Sequence, residues 1–155
     1  NTDVRGMQKE ENKQPEEQAE KLEGIRILAA EDNELNLEII VELLNSSGAS
    51  VDTARNGREA LYEYQNSRPG YYQAILMDIH MPVMNGLEAA KAIRASGRPD
   101  SATVPVIAMT ADVFKEDIQR CRDAGMDAHI GKPMEPEILF STLRRFLQDT
   151  PKPEE

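Results

Sequence analysis

Short apolar runs alternate with longer amphipathic stretches between residues 25 and 148. The apolar runs predict five strands, at Ile25–Ala30, Ser50–Ala54, Ala74–Met77, Val104–Met109 and Ala128–Ile130. The amphipathic stretches predict five helices, at Glu34–Ser46, Gly57–Ser67, Gly86–Ala95, Phe114–Ala124 and Pro136–Leu147. Such alternation is typical of βα units stacked on a parallel sheet. The pattern therefore predicts an α/β fold with a five-stranded parallel sheet and five helices.

The second predicted strand differs from the others in polarity. Its sequence SVDTA is largely polar, whereas the first, third and fourth strands are continuously apolar. Central strands of a parallel sheet are covered on both faces and are apolar throughout. The second strand is therefore predicted to lie at an edge.

The two ends of the chain have almost no apolar residues. Residues 1–23 are predicted to be an acidic polar linker, disordered or marginally helical, that tethers the domain to a longer protein. Residues 149–155 are predicted to be a flexible tail. Residues 24–148 are left as the folded domain.

Charge and composition narrow the class of function. The chain has 28 acidic against 18 basic residues, a net charge of −10 and no basic cluster, so we expect no nucleic-acid contact through this domain. No apolar run approaches the roughly 18 residues of a membrane span, so we expect no membrane contact. One cysteine allows no internal disulfide, which favours a reducing compartment and a cytoplasmic location.

Polar side chains follow four of the predicted strands. In an open parallel sheet the ligand site lies beyond the carboxyl ends of the strands. Glu31 and Asp32 follow the first strand, Asp78 the third, Thr110 the fourth and Lys132 the fifth. We therefore expect three carboxylates, one hydroxyl and one amine to converge at one edge of the sheet.

This set of groups is suited to phosphoryl transfer. Three neighbouring carboxylates repel one another unless a cation lies among them, and Mg²⁺ prefers oxygen ligands of this kind. With a metal on one side and the Lys132 ammonium on the other, Asp78 can attack phosphorus. Thr110 can donate a hydrogen bond to a phosphoryl oxygen.

Each residue also has a plainer interpretation when it is taken alone. Asp32 or Asp112 would serve as a helix N-cap, Thr110 as a strand-end hydroxyl and Lys132 as a surface lysine. These interpretations do not explain why all the groups follow strands in the order that a single site requires. The phosphoryl-transfer interpretation does.

At these residues the chain resembles the receiver domain of two-component response regulators, from Gly24 to about Gln148. The matching motifs are the acidic pair Glu31–Asp32, the D-x-x-M-P-x-M-x-G segment from Asp78 to Gly86, Thr110–Ala111 and Lys132–Pro133. The resemblance implies a flavodoxin-like, doubly wound (βα)5 fold with strand order 2-1-3-4-5. It also implies a signalling module that is not primarily an enzyme.

The resemblance assigns roles to the site residues. Asp78 would accept a phosphoryl group from a phosphohistidine donor. Mg²⁺ (or Mn²⁺) would be bound by Asp32, Asp78 and the backbone carbonyl of His80, with Glu31 acting through water. The bond between Lys132 and Pro133 would be cis.

The partners are likewise implied by the resemblance. They would be a histidine kinase or a histidine phosphotransfer domain, and a phosphorylation-linked homodimer is left open. The segments E-D-N-x-x-N, M-D-I-H-M-P-V-M-N-G and M-T-A are similar to receivers of hybrid sensor histidine kinases. The domain would then be the cytoplasmic part of a hybrid kinase, which can be membrane-bound.

The first helix has more apolar surface than one buried face needs. With Ile40 at the centre of that face, Ile39 and Val41 lie about 100° to either side and Leu35 about 140° away. Either flanking helices cover a wide face, or Leu35 with Ile39 or Val41 docks a helical phosphodonor. The pattern does not decide between the two.

Two histidines and one aspartate carry the remaining hypotheses. Switching in the family couples Thr110 to an aromatic residue at the position of His129, where tyrosine or phenylalanine is more usual. His80 and Asp112 flank the path of an attacking water and are hypothesised to tune the lifetime of the aspartyl phosphate. Neither histidine has zinc-ligand spacing, so each alone would be a surface or packing residue.

Two rivals from other classes fit less well. A Mg²⁺-dependent phosphatase of the aspartyl-phosphate type needs a second acid two residues after the nucleophile, where His80 stands. A flavodoxin-like electron carrier needs a hydroxyl- and glycine-rich phosphate loop where Glu31 and Asp32 stand. The phosphoacceptor module is the better prediction.

Overall fold

Strands and helices alternate along the whole of the described chain. The computed structural model describes residues 22–111 and 115–148. The strands are β1 (Arg26–Ala30), β2 (Ser50–Ala54), β3 (Ala74–Asp78), β4 (Val106–Thr110) and β5 (Ala128–Gly131). The helices are α1 (Glu34–Ser46), α2 (Gly57–Gln65), α3 (Gly86–Arg94), α4 (Lys115–Asp123) and α5 (Pro136–Gln148). Phe114, the predicted first residue of the fourth helix, lies outside the described residues.

The five strands form one parallel sheet in the order β2-β1-β3-β4-β5. This confirms the predicted order and the edge position of β2. Every residue of β3 and β4 is buried, whereas most of β2 is exposed or half-buried. The central strands therefore carry the core, and the carboxyl ends of β1, β3, β4 and β5 meet at one edge of the sheet.

Alternate side chains of each strand feed two separate cores. Leu28 and Ile75 pack on the face covered by α2, α3 and α4. Ile27 and Leu76 pack on the other face, against α1 and α5. This division follows from the two-residue period of strand side chains, and it places α1 and α5 together on one side of the site.

Three strands extend one residue beyond the predicted ends. Asp78, Thr110 and Gly131 are the last residues of β3, β4 and β5, paired as Asp78 with Met109 and Thr110 with Gly131. The apolar pattern ends earlier because backbone pairing continues through a polar side chain. The reactive side chains at these positions are therefore held by the sheet itself.

The start of β1 and the ends of α3, α4 and α5 differ from the prediction by one residue, and two further boundaries differ by two residues. β4 begins at Val106 because Val104 N–H bonds the Asp100 carbonyl at 2.9 Å in the preceding turn, and Pro105 has no N–H. α2 ends at Gln65, after which Asn66 caps it by donating to the Tyr62 carbonyl. Both corrections reflect backbone hydrogen bonds that the apolar pattern does not record.

The domain includes one residue that was assigned to the linker. Leu22 is 3% exposed, belongs to the core under α1, and donates its backbone N–H to the Ser47 carbonyl at 3.1 Å. The domain therefore begins at or before Leu22, at least two residues earlier than the predicted start at Gly24. The rest of the predicted linker and the tail at 149–155 lie outside the described residues. Within the described part of the chain, no helix is long and apolar enough to cross a bilayer.

Candidate functional site

Three carboxylates meet at the carboxyl edge of the sheet. Glu31 directly follows β1, Asp32 comes next, and Asp78 ends β3. One carboxylate oxygen from each lies within 4.8 Å of the others. Glu31 and Asp78 are 0% and 3% exposed, whereas Asp32 is exposed to solvent. Two of the three charges are thus buried and the third faces the opening.

Lys132 joins the two buried carboxylates. Its Nζ lies 3.0 Å from Asp78 Oδ2 and 3.0 Å from Glu31 Oε1. Its backbone N–H donates to the Thr110 carbonyl at 2.9 Å, and its bond to Pro133 is cis, as the family resemblance implied. The ammonium therefore lies between the two acids, on the side of the site formed by β4 and β5.

One buried oxygen of Glu31 has spare capacity as an acceptor. Asn33 N–H and Lys132 Nζ donate to Glu31 Oε2 at 3.1 Å and 3.3 Å. Among the described residues no donor makes a hydrogen bond with Glu31 Oε1, although the Lys132 ammonium forms an ion pair with it at 3.0 Å. A buried carboxylate oxygen without a donor beside two further carboxylates is a donor set that fits a hard divalent cation.

The environment shifts the protonation of Asp78. Burial, and after it the negative charge of Glu31, raise the pKa of Asp78 from 3.8 to about 6, although the hydrogen bond and charge of Lys132 act in the opposite direction. Burial lowers the pKa of Lys132, but the hydrogen bonds and charges of Glu31 and Asp78 outweigh it and raise the pKa above that of an ordinary lysine. At neutral pH the site therefore contains a buried carboxylate whose ionisation is disfavoured, beside a protonated Lys132.

The segment after Asp78 is held close to the strand by a glycine. A Cβ at Gly86 would collide with the backbone carbonyl of Asp78, and Gly86 N–H donates to the Ile79 carbonyl at 2.8 Å. His80 N–H points back to Asp78 Oδ1 at 3.3 Å. The sequence motif contained Gly86, but its role as the residue that permits this close approach became evident only in the structure.

The structure decides one of the plainer alternatives. The N-cap of α1 is Asn33, whose Oδ1 accepts from Asn36 N–H at 2.9 Å. Asp32 is therefore not the N-cap and keeps its carboxylate for the acidic cluster. The signal for this cap in the sequence was Asn33 itself, a preferred N-cap residue directly before the amphipathic stretch.

The remaining predicted residues lie around the acidic cluster at different depths. Thr110 is buried at the end of β4, next in sequence to the residue paired with Asp78. His80 is exposed beside the cluster, and His129 is exposed on β5, opposite Ala108. Asp112 lies outside the described residues.

The exposed apolar residues of α1 are divided between two flanks. Ile39 lines a hollow of about 70 Å³ that opens beside Glu31 and Lys132; the other lining residues are Asn36, Ile40, Pro133 and Met134. Val41 lines a different groove on the other flank of the helix. Leu35 lies about 40° from Ile39 around the helix, but about 120° from Val41. Of the two predicted docking pairs, only Leu35 with Ile39 is next to the site.

The chain is similar to known signalling proteins over most of its length. Residues 27–144 match the protein family described as the response regulator receiver domain. Hybrid signal transduction histidine kinase I of Dictyostelium discoideum is 37% identical over 120 residues, which are 76% of this chain and 7% of that protein. The chain thus spans a small part of the curated relative that it matches.

Two solved structures share both the fold and the sequence pattern. The receiver domain of a sensor histidine kinase from Pseudomonas aeruginosa, described with a magnesium ion coordinated in its active-site cleft, is 35% identical with a TM-score of 0.73, over 81% of this chain and 98% of that one. A co-crystal structure of the Saccharomyces cerevisiae phosphotransfer protein Ypd1 with the receiver domain of Ssk1 gives 30% identity and a TM-score of 0.71, over 80% and 89%.

The raised pKa of Asp78 predicts an unusual effect of removing its charge. The folded protein binds the Asp78 proton more tightly than the unfolded chain does, so ionisation of Asp78 costs stability as the pH rises from about 4 through about 6. With a chelator present, we expect Asp78→Asn to stabilise the domain at pH 7.5 by about 2–3 kcal/mol. The gain should shrink as the pH falls and approach zero near pH 4.

Thermal and urea unfolding of the two proteins across this pH range measure the difference. The matched control is Glu137→Gln, which neutralises an exposed carboxylate on α5 and should change stability little at any pH. A less stable Asp78→Asn protein at pH 7.5, or a difference that does not depend on pH, would contradict the prediction.

Proposed function

The chain belongs to the response regulator receiver domain family of two-component and phosphorelay systems, and we propose that Asp78 is its phosphoacceptor. One observation carries the proposal. Asp78 is the buried carboxylate at the end of a central strand that contacts both the Lys132 ammonium and the acidic cluster. Glu31 is also buried and contacts Lys132, but it follows β1 and is not part of a strand. Asp32 is exposed to solvent.

The geometry around Asp78 supports nucleophilic attack on phosphorus. An Asp78 carboxylate oxygen forms the new bond to phosphorus while the phosphorus–nitrogen bond of the donor phosphohistidine breaks. The donor imidazole keeps the electron pair of that bond and takes up a proton. A pKa of about 6 leaves the carboxylate mostly ionised at neutral pH. Lys132, 3.0 Å away, is placed to neutralise charge on a phosphoryl oxygen, and Thr110 is placed to donate a hydrogen bond to another.

We propose that Asp32, Asp78 and the His80 backbone carbonyl hold Mg²⁺ or Mn²⁺, with Glu31 acting through water. When bound, the cation supplies charge neutralisation to the phosphoryl oxygens and the acids. Support comes from the three convergent carboxylates, from the free acceptor capacity of Glu31, and from the related receiver domain described with magnesium.

A phosphatase of the aspartyl-phosphate type is disfavoured. The position two residues after Asp78 is His80, which cannot serve as the second acid, and the similarities to receiver domains cover most of the chain. We propose that the domain promotes its own phosphorylation and dephosphorylation and passes on a signal or the phosphoryl group. The donor would be a histidine kinase or a histidine phosphotransfer domain.

We further propose that the domain belongs to a cytoplasmic hybrid histidine kinase, or to the cytoplasmic part of a membrane-bound one. The relative named above is a hybrid kinase, and the segments around Asp32, Asp78 and Thr110 are similar to that subgroup. The sequence of the full-length gene tests this proposal, because it requires a kinase core in the same protein.

Phosphodonor docking is proposed on the flank of α1 that faces the site. Leu35 is 65% exposed and Ile39 40%, and Ile39 lines the hollow that opens beside Glu31 and Lys132. A helical donor lying on this flank would bring its phosphohistidine to the carboxyl edge of the sheet. Val41 is excluded from this surface because it faces the other flank.

We expect the chain to become labelled by acetyl phosphate in a Mg²⁺-dependent reaction, with an acid-stable and alkali-labile bond. Asp78→Ala should abolish labelling, whereas Asp123→Ala, which removes an exposed carboxylate far from the strand ends, should not. Removing the divalent cation with a chelator should also abolish labelling. Label that persists in Asp78→Ala would refute the assignment of Asp78.

The same labelled protein tests the remaining parts of the proposal. If Thr110 and His129 respond together when Asp78 is phosphorylated, the ring resonances of His129 should shift on phosphorylation of the wild type and stay unchanged in Thr110→Ala. Sedimentation of the labelled chain tests the phosphorylation-linked homodimer. The homodimer stays a prediction, and so does the absence of nucleic-acid and membrane contacts.

Replacing Leu35 with Glu should separate docking from chemistry. A charge on the docking flank should slow transfer from a phosphotransfer protein about tenfold, because it removes apolar contact area, and should leave acetyl phosphate labelling unchanged. The matched control is Tyr62→Glu on α2, which is 63% exposed and remote from the site. Equal losses with both donors, or equal slowing by both variants, would overturn the docking surface.

His80 is proposed to set the lifetime of the aspartyl phosphate, since it is exposed two residues after Asp78 beside the reacting carboxylate. Asp112 belongs to the same proposal on sequence grounds. We expect the double variant His80→Asn with Asp112→Asn to change the decay rate of labelled protein severalfold, with each single variant showing the share of one residue. An unchanged half-life in the double variant would eliminate the idea.

A further inference from the structure

The flank of α1 that carries Val41 has a surface of its own. A groove of about 710 Å³ runs between α1 on one side and β2 with Arg55 on the other. The residues of α1 that line it are Glu34, Leu37, Glu38, Val41, Glu42, Asn45 and Ser46. Their spacing of three and four residues makes one continuous stripe from the first turn to the last, about 20 Å long. The groove is therefore long enough to lie along a partner helix of three to four turns.

The floor of the groove is apolar and its rim is acidic. Leu37 and Val41 form the floor, and Glu34, Glu38 and Glu42 stand above it at successive turns. Like charges four residues apart on a helix repel one another, so α1 keeps this arrangement at some cost in stability. A cationic partner would remove that cost.

At one end of the groove, a glutamate of the rim forms an ion pair with an arginine. The guanidinium of Arg55 lies 3.7 Å from the Glu34 carboxylate across the groove. Glu38 and Glu42 form no ion pair with any residue in the described part of the chain. The two carboxylates in the middle and at the far end of the stripe are thus available to basic side chains from outside.

We propose that this groove is a second docking site, separate from the phosphodonor surface, and that it binds a basic amphipathic helix of a partner protein. The apolar side chains of that helix would cover Leu37 and Val41, and its lysines or arginines would pair with Glu38 and Glu42. A helix fits better than an extended segment because seven of the nine lining residues come from α1, at the period of helix packing.

Charge argues against an occupant from this chain. Residues 1–21 contain six acidic and four basic residues, and residues 149–155 contain three acidic and one basic. A second copy of the chain carries the same net charge of −10. Each would be repelled by the rim, so the partner is a different, basic segment. The proposal does not depend on the phosphoacceptor role of Asp78.

Peptide binding to the full 155-residue chain tests the proposal. The probe is a synthetic amphipathic helix of about five turns, with leucines on one face and flanking lysines, and its counterpart has glutamates in place of the lysines. We expect the lysine peptide to bind, to shift the amide resonances of Leu37, Val41 and Thr53, and to leave acetyl phosphate labelling unchanged. The glutamate peptide should not bind.

Matched charge variants distinguish a defined groove from general attraction to an acidic protein. Glu38→Gln with Glu42→Gln should weaken lysine-peptide binding at least about fivefold. Glu116→Gln with Glu137→Gln makes the same change in net charge on other helices and should weaken it less than about twofold. Equal weakening by both pairs, resonance shifts centred on Leu35 and Ile39, equal binding of the glutamate peptide, or self-association of the chain through the groove would each overturn the proposal.

Discussion

The site depends on the burial of two carboxylates beside one ammonium. Glu31 and Asp78 are almost completely buried, and the Lys132 ammonium lies 3.0 Å from an oxygen of each. One cation does not neutralise two buried acids, and the third acid, Asp32, adds to the excess of negative charge. Burial, and after it the charge of Glu31, raise the pKa of Asp78 to about 6. The fold thus maintains a local charge imbalance that a divalent cation and a phosphoryl group would together satisfy.

The surrounding structure keeps this imbalance from relaxing. Asp78 and Thr110 are the last residues of buried central strands, so sheet pairing fixes the backbone that carries each side chain. The segment after Asp78 passes so close to Gly86 that no side chain fits there. Lys132 is held at its backbone by the Thr110 carbonyl. Preorganised groups of this kind stay aimed at the reacting atoms and do not need to reorganise during the reaction.

Hydrophobic periodicity predicted the five strands, the five helices and the location of the site, whereas the strand order was implied by the family resemblance. The polar sequence of β2 gave its edge position, and residues following strands gave the convergence of Asp78, Thr110 and Lys132. The features that the sequence did not predict depend on backbone hydrogen bonds and close contacts, which the pattern of polar and apolar side chains does not record. Examples are the strand pairing of Thr110, the burial of Leu22 under α1, and the contact at Gly86. The capping role of Asn33 follows from its position directly before α1, although Asp32 offers the same kind of acceptor one residue earlier.

The sequence could not show which exposed apolar residues of α1 belong to which surface. Angles around a helix give the direction of each side chain but not the element that lies beside it. Ile39 and Val41 are about 200° apart around the helix, and each lies beside a different element. Ile39 faces the loop that carries Lys132. Val41 lines the groove between α1 and β2, whose acidic rim is formed by glutamates of α1. A helix whose buried stripe contains Leu37, Ile40 and Leu44 has two free flanks. Because one flank borders the reacting groups and the other does not, the same helix could receive a phosphodonor on one side and a basic helix on the other.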